Sequence, residues 1–226
     1  CEDAAALSTP APGSVHLICV DPPYYHNVQY AELSNFFYVW MKRALMDWPS
    51  LAHLFTEPLV ETNREAVANT ARWRREAETE ATAWQKRYDA AFDGLRADKV
   101  KVKEARERAL TETGSKPLSA KDRADQFYEN KMAAVFARGR KLLHPAGRMV
   151  VMFNHKQTSA WRSLGMALIR AGFEVRSSVP VQTEAESSLN IRGLDAARST
   201  ILLLCMPREE REQPTGNWAK VQTGVS

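Results

Sequence analysis

VHLICVDPPYY, residues 15–25, joins a short apolar run to an acid, two prolines and two tyrosines. The run Val15–Val20 is rich in branched side chains and is bounded by Gly13 and the prolines, which predicts a buried β-strand. Pro22 and Pro23 have no backbone N–H and a fixed φ, so the strand must end before them. A carboxylate and two aromatic rings therefore follow the carboxyl end of a strand, where ligands bind in open α/β sheets.

The side chains after this strand suit a flat heterocycle that carries an exocyclic amine. Tyr24 offers a ring on which such a heterocycle can stack, and Asp21 offers acceptor oxygens for the amine hydrogens. The Pro22 carbonyl is a second acceptor, because the proline that follows it prevents regular strand pairing. The prolines hold these groups in place before a substrate arrives, which lowers the cost of ordering them. A strand end with a proline turn and core tyrosines is the alternative interpretation.

The residues of this loop resemble a known motif. Asp21-Pro22-Pro23-Tyr24 resembles the [D/N/S]-P-P-[Y/F/W] motif of amino methyltransferases, which methylate exocyclic amines with S-adenosylmethionine. The longer run DPPYYHNVQYAELSNFFYVW, residues 21–40, resembles the large prokaryotic adenine-specific DNA methylases that carry the DUF1156 domain. Further on, ALIRAGFEV (167–175), QTE (182–184) and ARSTILLLC (197–205) are similar to the closing helix and strands of the same catalytic domain.

This resemblance implies methyl transfer from S-adenosylmethionine to the N6 amine of adenine in DNA. Its catalytic residues would be Asp21, Pro22, Pro23 and Tyr24, with Asp21 and Pro22 also touching the cofactor. The adenine would be flipped out of the duplex and stacked on Tyr24. Asp21 and the Pro22 carbonyl would accept hydrogen bonds from the amine, and neither a metal ion nor a covalent enzyme intermediate is expected.

Other residues are weaker candidates for substrate contacts. They lie after the motif, at the exit of a later strand on the same edge as Asp21, and in the loop between the last two strands, where such enzymes often contact DNA: Tyr25, His26, Asn27, Asn154 and Arg192. For the segment 154–156 a polar strand exit is an equally good interpretation. Arg192 could equally be an exposed arginine.

The family's cofactor-binding segment is a strand with a Gly-rich turn, and it precedes the D-P-P-Y motif. Here a short polar leader, residues 1–14, precedes the motif, and no G-x-G follows a predicted strand. We therefore expect an α/β fold that corresponds to the C-terminal half of a Rossmann-like S-adenosylmethionine methyltransferase sheet, with a long helical-hairpin insertion. An upstream segment or another chain would supply the cofactor half.

The chain divides into four predicted parts. Residues 14–60 and 127–208 would form the methyltransferase core, 61–126 the helical insertion, and 209–226 a polar tail. In the first part, the apolar residues of 30–46 recur at helical spacing, which predicts an amphipathic helix packed on the sheet with its aromatic side chains in the core. In the second part of the core we expect a strand at 148–153, a helix at 158–171 closed by Gly172, and two antiparallel strands at 174–181 and 199–206.

The insertion is rich in Arg, Glu, Ala and Lys, which predicts one long helix over 61–112, interrupted near Gly94. Ser119 with Asp122 indicates a capping box that opens a second helix ending at Leu143, antiparallel to the first. The charges of this hairpin are balanced, as is typical of a solvated helix; a DNA-gripping role is the second interpretation.

Composition limits the function classes only modestly. The net charge is +4 and the pI about 9.0, which is compatible with nucleic-acid binding without being diagnostic. The three cysteines form no C-x-x-C pair, so neither disulfides nor zinc are expected, and a reducing cytoplasm is the predicted location. Two other functions stay open: a methyltransferase acting on an RNA base or a protein amide, and a non-catalytic nucleic-acid-binding or assembly fragment whose working part is the helical hairpin.

Overall fold

The computed structural model describes residues 3–181 and 200–208. Short 3-10 turns at Ala52–Leu54 and Thr62–Arg64 accompany nine longer elements, which are, in chain order, β1 (Val15–Val20), α1 (Tyr30–Leu45), α2 (Thr70–Ala97), α3 (Val102–Thr113), α4 (Ala120–Leu142), β2 (Leu143–Phe153), α5 (Thr158–Arg170), β3 (Phe173–Val181) and β4 (Thr200–Pro207). The predicted α/β class is confirmed. Within the described ranges, none of the helices has the length and apolar content needed to span a membrane.

The four strands form one mixed sheet in the order β1-β2-β4-β3. β1 and β2 are parallel, and β4 is antiparallel to both of its neighbours, β2 and β3. β3 therefore runs in the same direction as β1 and β2, and the predicted antiparallel pairing of the last two strands is confirmed. Because β1 and β2 are parallel, their carboxyl ends meet at one edge of the sheet.

One face of the sheet carries the hydrophobic core. Met149, Val151 and Phe153 of β2 and Cys205 of β4 are fully buried there, together with side chains of α4 and α5 such as Phe136, Leu164 and Leu168. Burial of each large apolar side chain contributes about 1.5–3 kcal/mol. This face therefore holds the second part of the chain together.

The opposite face of the sheet is apolar but is not buried. The strand register places on it Leu17, Cys19, Val150, Met152, Leu202, Leu204 and Val179. None of these side chains is buried, and Leu17 is 58% exposed. The expectation that β1 is a buried strand is therefore wrong for this face, since within β1 only Val15, Ile18 and Val20 pack against the core.

The helix predicted over 30–46 is present as α1, but its predicted packing on the sheet is wrong. Its apolar stripe is exposed by 51–67%: Leu33, Phe36, Phe37, Trp40 and Met41. No residue of α1 belongs to the core cluster described for the sheet. The other side of the helix contacts the segment 55–60, where the Tyr38 hydroxyl donates to the Glu57 carbonyl and the Asn35 side chain accepts from the Val60 N–H.

The insertion contains three helices, where the sequence predicted two. α2 ends in a Schellman arrangement: Lys99 has φ +63°, its N–H donates to the Arg96 carbonyl, and the Val100 N–H donates to the Leu95 carbonyl. The interruption predicted near Gly94 is therefore present but begins a few residues later, because α2 continues past Gly94 to Ala97 and α3 begins at Val102. α3 then folds back against α2.

α4 joins the insertion to the core. Its predicted capping box is confirmed, since the Ser119 hydroxyl accepts from the Asp122 N–H and the Asp122 carboxylate accepts from the Ser119 N–H. Arg123 pairs with Glu76 and Glu80 and so ties α4 to α2. The helix runs without interruption across the predicted boundary between residues 126 and 127, so the two parts share one rigid element.

Gly147 lies where β2 approaches β1 closely. A Cβ atom there would lie 2.9 Å from the His144 carbonyl oxygen and 3.0 Å from the Val15 carbonyl oxygen. Because both are backbone atoms of paired strands, they cannot move without disturbing the sheet. We expect Gly147→Ala to lower the free energy of unfolding by about 1–3 kcal/mol. Gly94→Ala is the matched control, because its Cβ would meet open space within α2, and it should stabilise by about 1 kcal/mol. Urea unfolding of both variants tests this, and equal effects would contradict it.

Candidate active site

The loop after β1 and the segment after β2 lie at the same edge of the sheet. Val20 pairs with Val151, so Asp21 and Asn154 leave neighbouring parallel strands close together. The sequence-based expectation that Asn154 shares an edge with Asp21 is thus confirmed.

The two predicted acceptors, the Asp21 carboxylate and the Pro22 carbonyl, differ in their surroundings. Asp21 is exposed, whereas Pro22 is buried. Among the described residues no hydrogen bond reaches the Pro22 carbonyl, whereas the Pro23 carbonyl accepts two, from the Tyr25 N–H and the Tyr128 hydroxyl, both at 2.9 Å. Pro23 is thus held by the protein, and the Pro22 carbonyl keeps its capacity to accept from a ligand.

Tyr24 is half-buried at this edge. Its ring meets the Phe153 ring edge to face, with the centroids 5.6 Å apart, so part of the tyrosine ring stays accessible for stacking. Burial and the neighbouring Asp21 carboxylate raise the pKa of Tyr24 well above its ordinary value. The phenol therefore keeps its proton at neutral pH and acts as a donor beside Asp21.

Tyr25, predicted to line the substrate pocket, lies in the core instead. It is 3% exposed, and its hydroxyl donates to Asp125 of α4. Its carbonyl accepts from the Ala68 N–H at 2.9 Å, and its φ of +60° is unusual for a bulky residue. This conformation costs about 1–3 kcal/mol and persists because the surrounding contacts fix it. Tyr25 therefore anchors the loop and leaves substrate contact to its neighbours.

Sequence analysis missed the residues of α4 that support this loop. Tyr128 is fully buried and donates to the Pro23 carbonyl, and its ring lies 5.4 Å from that of Tyr25. Asp125 accepts from Tyr25 and pairs with Lys121 at 2.7 Å. These contacts join residues that are about a hundred positions apart, and no local pattern in the sequence indicates them.

His155 belongs to the segment 154–156, for which the sequence left both substrate contact and a polar strand exit open, and it is buried. Its Nδ1 accepts from the Gln157 N–H at 3.0 Å, which places the imidazole proton on Nε2. Nε2 is buried and has no hydrogen-bond partner among the described residues. Burial first, and then the neighbouring His26, lower the pKa of His155. His155 is therefore a neutral donor held against the motif loop.

Of the remaining residues predicted to contact a substrate, two lie at this edge of the sheet. His26 and Asn27 are exposed, and the His26 ring lies 5.1 Å from that of His155. Arg192 lies outside the described residues. A groove of about 650 Å³ between α4 and α5 opens behind Tyr25, where Asp125 and Glu129 are already paired with Lys121 and Arg170.

The described residues offer little for metal or thiol chemistry. No group of three His, Cys, Asp or Glu side chains within 3–181 and 200–208 is arranged to hold a metal ion. Burial raises the pKa of the Cys205 thiol to about 11, so that it stays protonated, and Cys19 is exposed on the far face of the sheet. What the edge offers is therefore acceptors, donors and a stacking ring.

The buried neutral state of His155 predicts how stability depends on pH. As pH falls through about 6.5, the unfolded chain takes up a proton that the folded protein resists, so the free energy of unfolding should decrease on acidification. His155→Gln should flatten this decrease, because it removes the group whose pKa folding lowers. Urea unfolding between about pH 8 and 5 measures both slopes, with the exposed His53→Gln as control. Identical slopes for His155→Gln and the parent protein would contradict the assignment.

A scan against protein-family models and comparisons with curated proteins and with solved structures found no match to this chain. Only its own residues and topology therefore bear on its function.

Proposed function

We propose that this chain is the substrate-binding part of an S-adenosylmethionine-dependent methyltransferase that acts on the exocyclic N6 amine of adenine in DNA. The observation that supports this best is the set of three groups after β1. An exposed carboxylate, a carbonyl without a hydrogen-bond partner among the described residues, and a partly accessible aromatic ring follow one another as Asp21, Pro22 and Tyr24.

These groups suit a flipped adenine. Its ring stacks on Tyr24, while Asp21 and the Pro22 carbonyl accept the two hydrogens of the amine and direct its lone pair away from them. S-adenosylmethionine, when bound, supplies an activated methyl group on a sulfonium. Asp21 places negative charge beside the nitrogen that becomes positive, so it stabilises the transition state electrostatically. Positioning of the amine relative to the methyl group supplies the rest of the rate enhancement, since no enzyme nucleophile takes part.

The topology of the sheet supports the Rossmann-like interpretation. Three strands run in one direction, and β4 is inserted antiparallel between β2 and β3. An antiparallel strand pair at the far edge is what the resemblance to methyltransferase sheets implies. The motif loop then follows β1 at the opposite edge of these four strands.

The residues present fit the cofactor only in part, because Asp21 and Pro22 can touch it but no Gly-rich turn follows a strand within 3–181 and 200–208. The exposed apolar face of the sheet, opposite the core, supports the proposal that further strands come from an upstream segment or another chain. Sheets with parallel strands normally have both faces covered, and this one presents an apolar face and an unpaired β1 edge among the described residues. A unit of strand and helix placed there would cover both at once.

A second candidate function is an assembly module without catalysis. The observation that favours it is the exposed stripe of α1, because apolar patches of this kind mark interaction sites. The two candidates differ in their dependence on Asp21, which an assembly role does not need.

We expect Asp21→Ala to abolish methyl transfer while leaving the fold intact, because Asp21 is exposed and outside the core. Loss of one charged hydrogen bond in the transition state should cost about 2–4 kcal/mol, or roughly thirty- to a thousandfold in rate. Transfer of labelled methyl groups to duplex DNA measures it, in the protein together with the segment or chain that supplies the cofactor half. Asp47→Ala, an exposed acid beyond α1, is the control.

Parallel assays with RNA and with a glutamine-containing peptide separate the substrate classes. Transfer at the parent rate by the Asp21 variant would rule out the catalytic role, and transfer to RNA or peptide alone would replace DNA as the substrate.

The chain by itself should bind S-adenosylmethionine weakly or not at all, because most cofactor contacts lie in strands that it does not carry. Calorimetric titration of this chain, and of the chain with its cofactor half added, tests this expectation. Binding should appear only in the second titration. Micromolar binding by the chain alone would show that the cofactor site lies elsewhere.

A further inference from the structure

Two cations share one aromatic platform at the junction of α2 and α4. The Arg72 guanidinium carbon lies 4.7 Å from the centroid of the Trp73 ring and 4.6 Å from that of the Phe127 ring. The Lys131 Nζ atom lies 5.7 Å from the centroid of the same Phe127 ring. We call Arg72, Trp73, Phe127 and Lys131 the cation patch.

The two cations of the patch lie close together over the same aromatic ring. Within the described part of the chain neither Arg72 nor Lys131 forms an ion pair, although Arg123 on the same helix pair contacts Glu76 and Glu80. The Trp73 and Phe127 rings hold the Arg72 guanidinium by cation–π contact, and no ion pair within the described residues occupies its N–H groups. The Trp73 Nε1 donor is also buried without a partner among these residues. Two neighbouring positive charges without a carboxylate favour an anionic ligand.

The patch lies beside the motif loop. The residues just before α2 contact that loop directly, because the Ala68 N–H donates to the Tyr25 carbonyl and the Asn69 side-chain amide donates to Gln29 at 3.1 Å. On α4, Phe127 precedes Tyr128, which donates to the Pro23 carbonyl. Both helices that carry the patch therefore also hold the loop that carries Asp21 and Tyr24.

We propose that the cation patch binds backbone phosphates of the nucleic acid whose base enters the candidate site. The proposal rests on the proposed function for the class of substrate, and it adds the surface that positions the strand. Arginine and lysine on a rigid platform contact phosphate oxygens without reading sequence, which fixes the position of a strand next to a flipped base. The balanced charge of the insertion as a whole then matters less than these two cations, which lie over one aromatic ring beside the motif loop.

The test is the salt dependence of DNA binding by the full chain. Fluorescence anisotropy with a labelled 20-base-pair duplex, titrated from about 50 to 250 mM NaCl, gives the slope of log K against log salt. Loss of two phosphate contacts in Arg72→Gln/Lys131→Gln should reduce that slope by about 1.8. The matched control is Lys103→Gln/Arg108→Gln on α3, which removes two exposed charges, one of them paired with Glu104. It should leave the slope unchanged.

Thermal unfolding of each double variant confirms that it is folded before binding is measured. An unchanged slope in Arg72→Gln/Lys131→Gln, or an equal loss in the control, would overturn this inference and leave the proposed function standing. Failure of the parent chain to bind either the duplex or a single strand of the same sequence would overturn both. If only Arg72→Gln/Lys131→Gln reduces the slope of log K against log salt, the inference is supported. This holds even if Asp21→Ala shows that methyl transfer does not depend on the loop.

Discussion

The hydrogen bond from the Tyr128 hydroxyl to the Pro23 carbonyl is the interaction on which the candidate site depends. It joins a fully buried residue in the middle of α4 to the proline loop after β1. The same carbonyl also accepts from the Tyr25 N–H, so two donors within the protein engage it. Because the Pro23 carbonyl is occupied, Pro22 is the proline whose carbonyl is left for a ligand, and the chain turns so that Tyr25 enters the core while Tyr24 stays at the surface.

The same helix explains why a helical insertion belongs beside the site. α4 begins at the Ser119 capping box within the insertion and ends against the sheet, so its orientation is set from both sides. Asp125 and Tyr128 lie on the segment that crosses from one part to the other, and both contact the motif loop. A change in how α2 and α3 pack would therefore reach the loop through a rigid element.

The two faces of the sheet differ in burial, although the amino-acid composition of the strands does not show this difference. Its strands are apolar on both faces, as expected for strands covered on both sides, yet only the face under α4 and α5 is buried. The exposed stripe of α1 adds to this uncovered apolar surface.

Local sequence determined the elements and their ends. The prolines stop β1 at Val20, Ser119 with Asp122 starts α4, and Gly172 at φ +78° closes the turn after α5, each through geometry confined to a few residues. It also placed Asp21 and Asn154 at one edge, because parallel strands share a direction. Only the tertiary structure decided which side chains those elements bury. Helical periodicity identifies the apolar side of α1. It does not reveal that this side stays exposed among the described residues. A tyrosine pair after two prolines does not reveal which ring turns inward, and the burial of His155 depends on Tyr25 and His26 beside it. These outcomes rest on contacts between residues far apart in the chain, which a pattern of neighbouring residues does not contain.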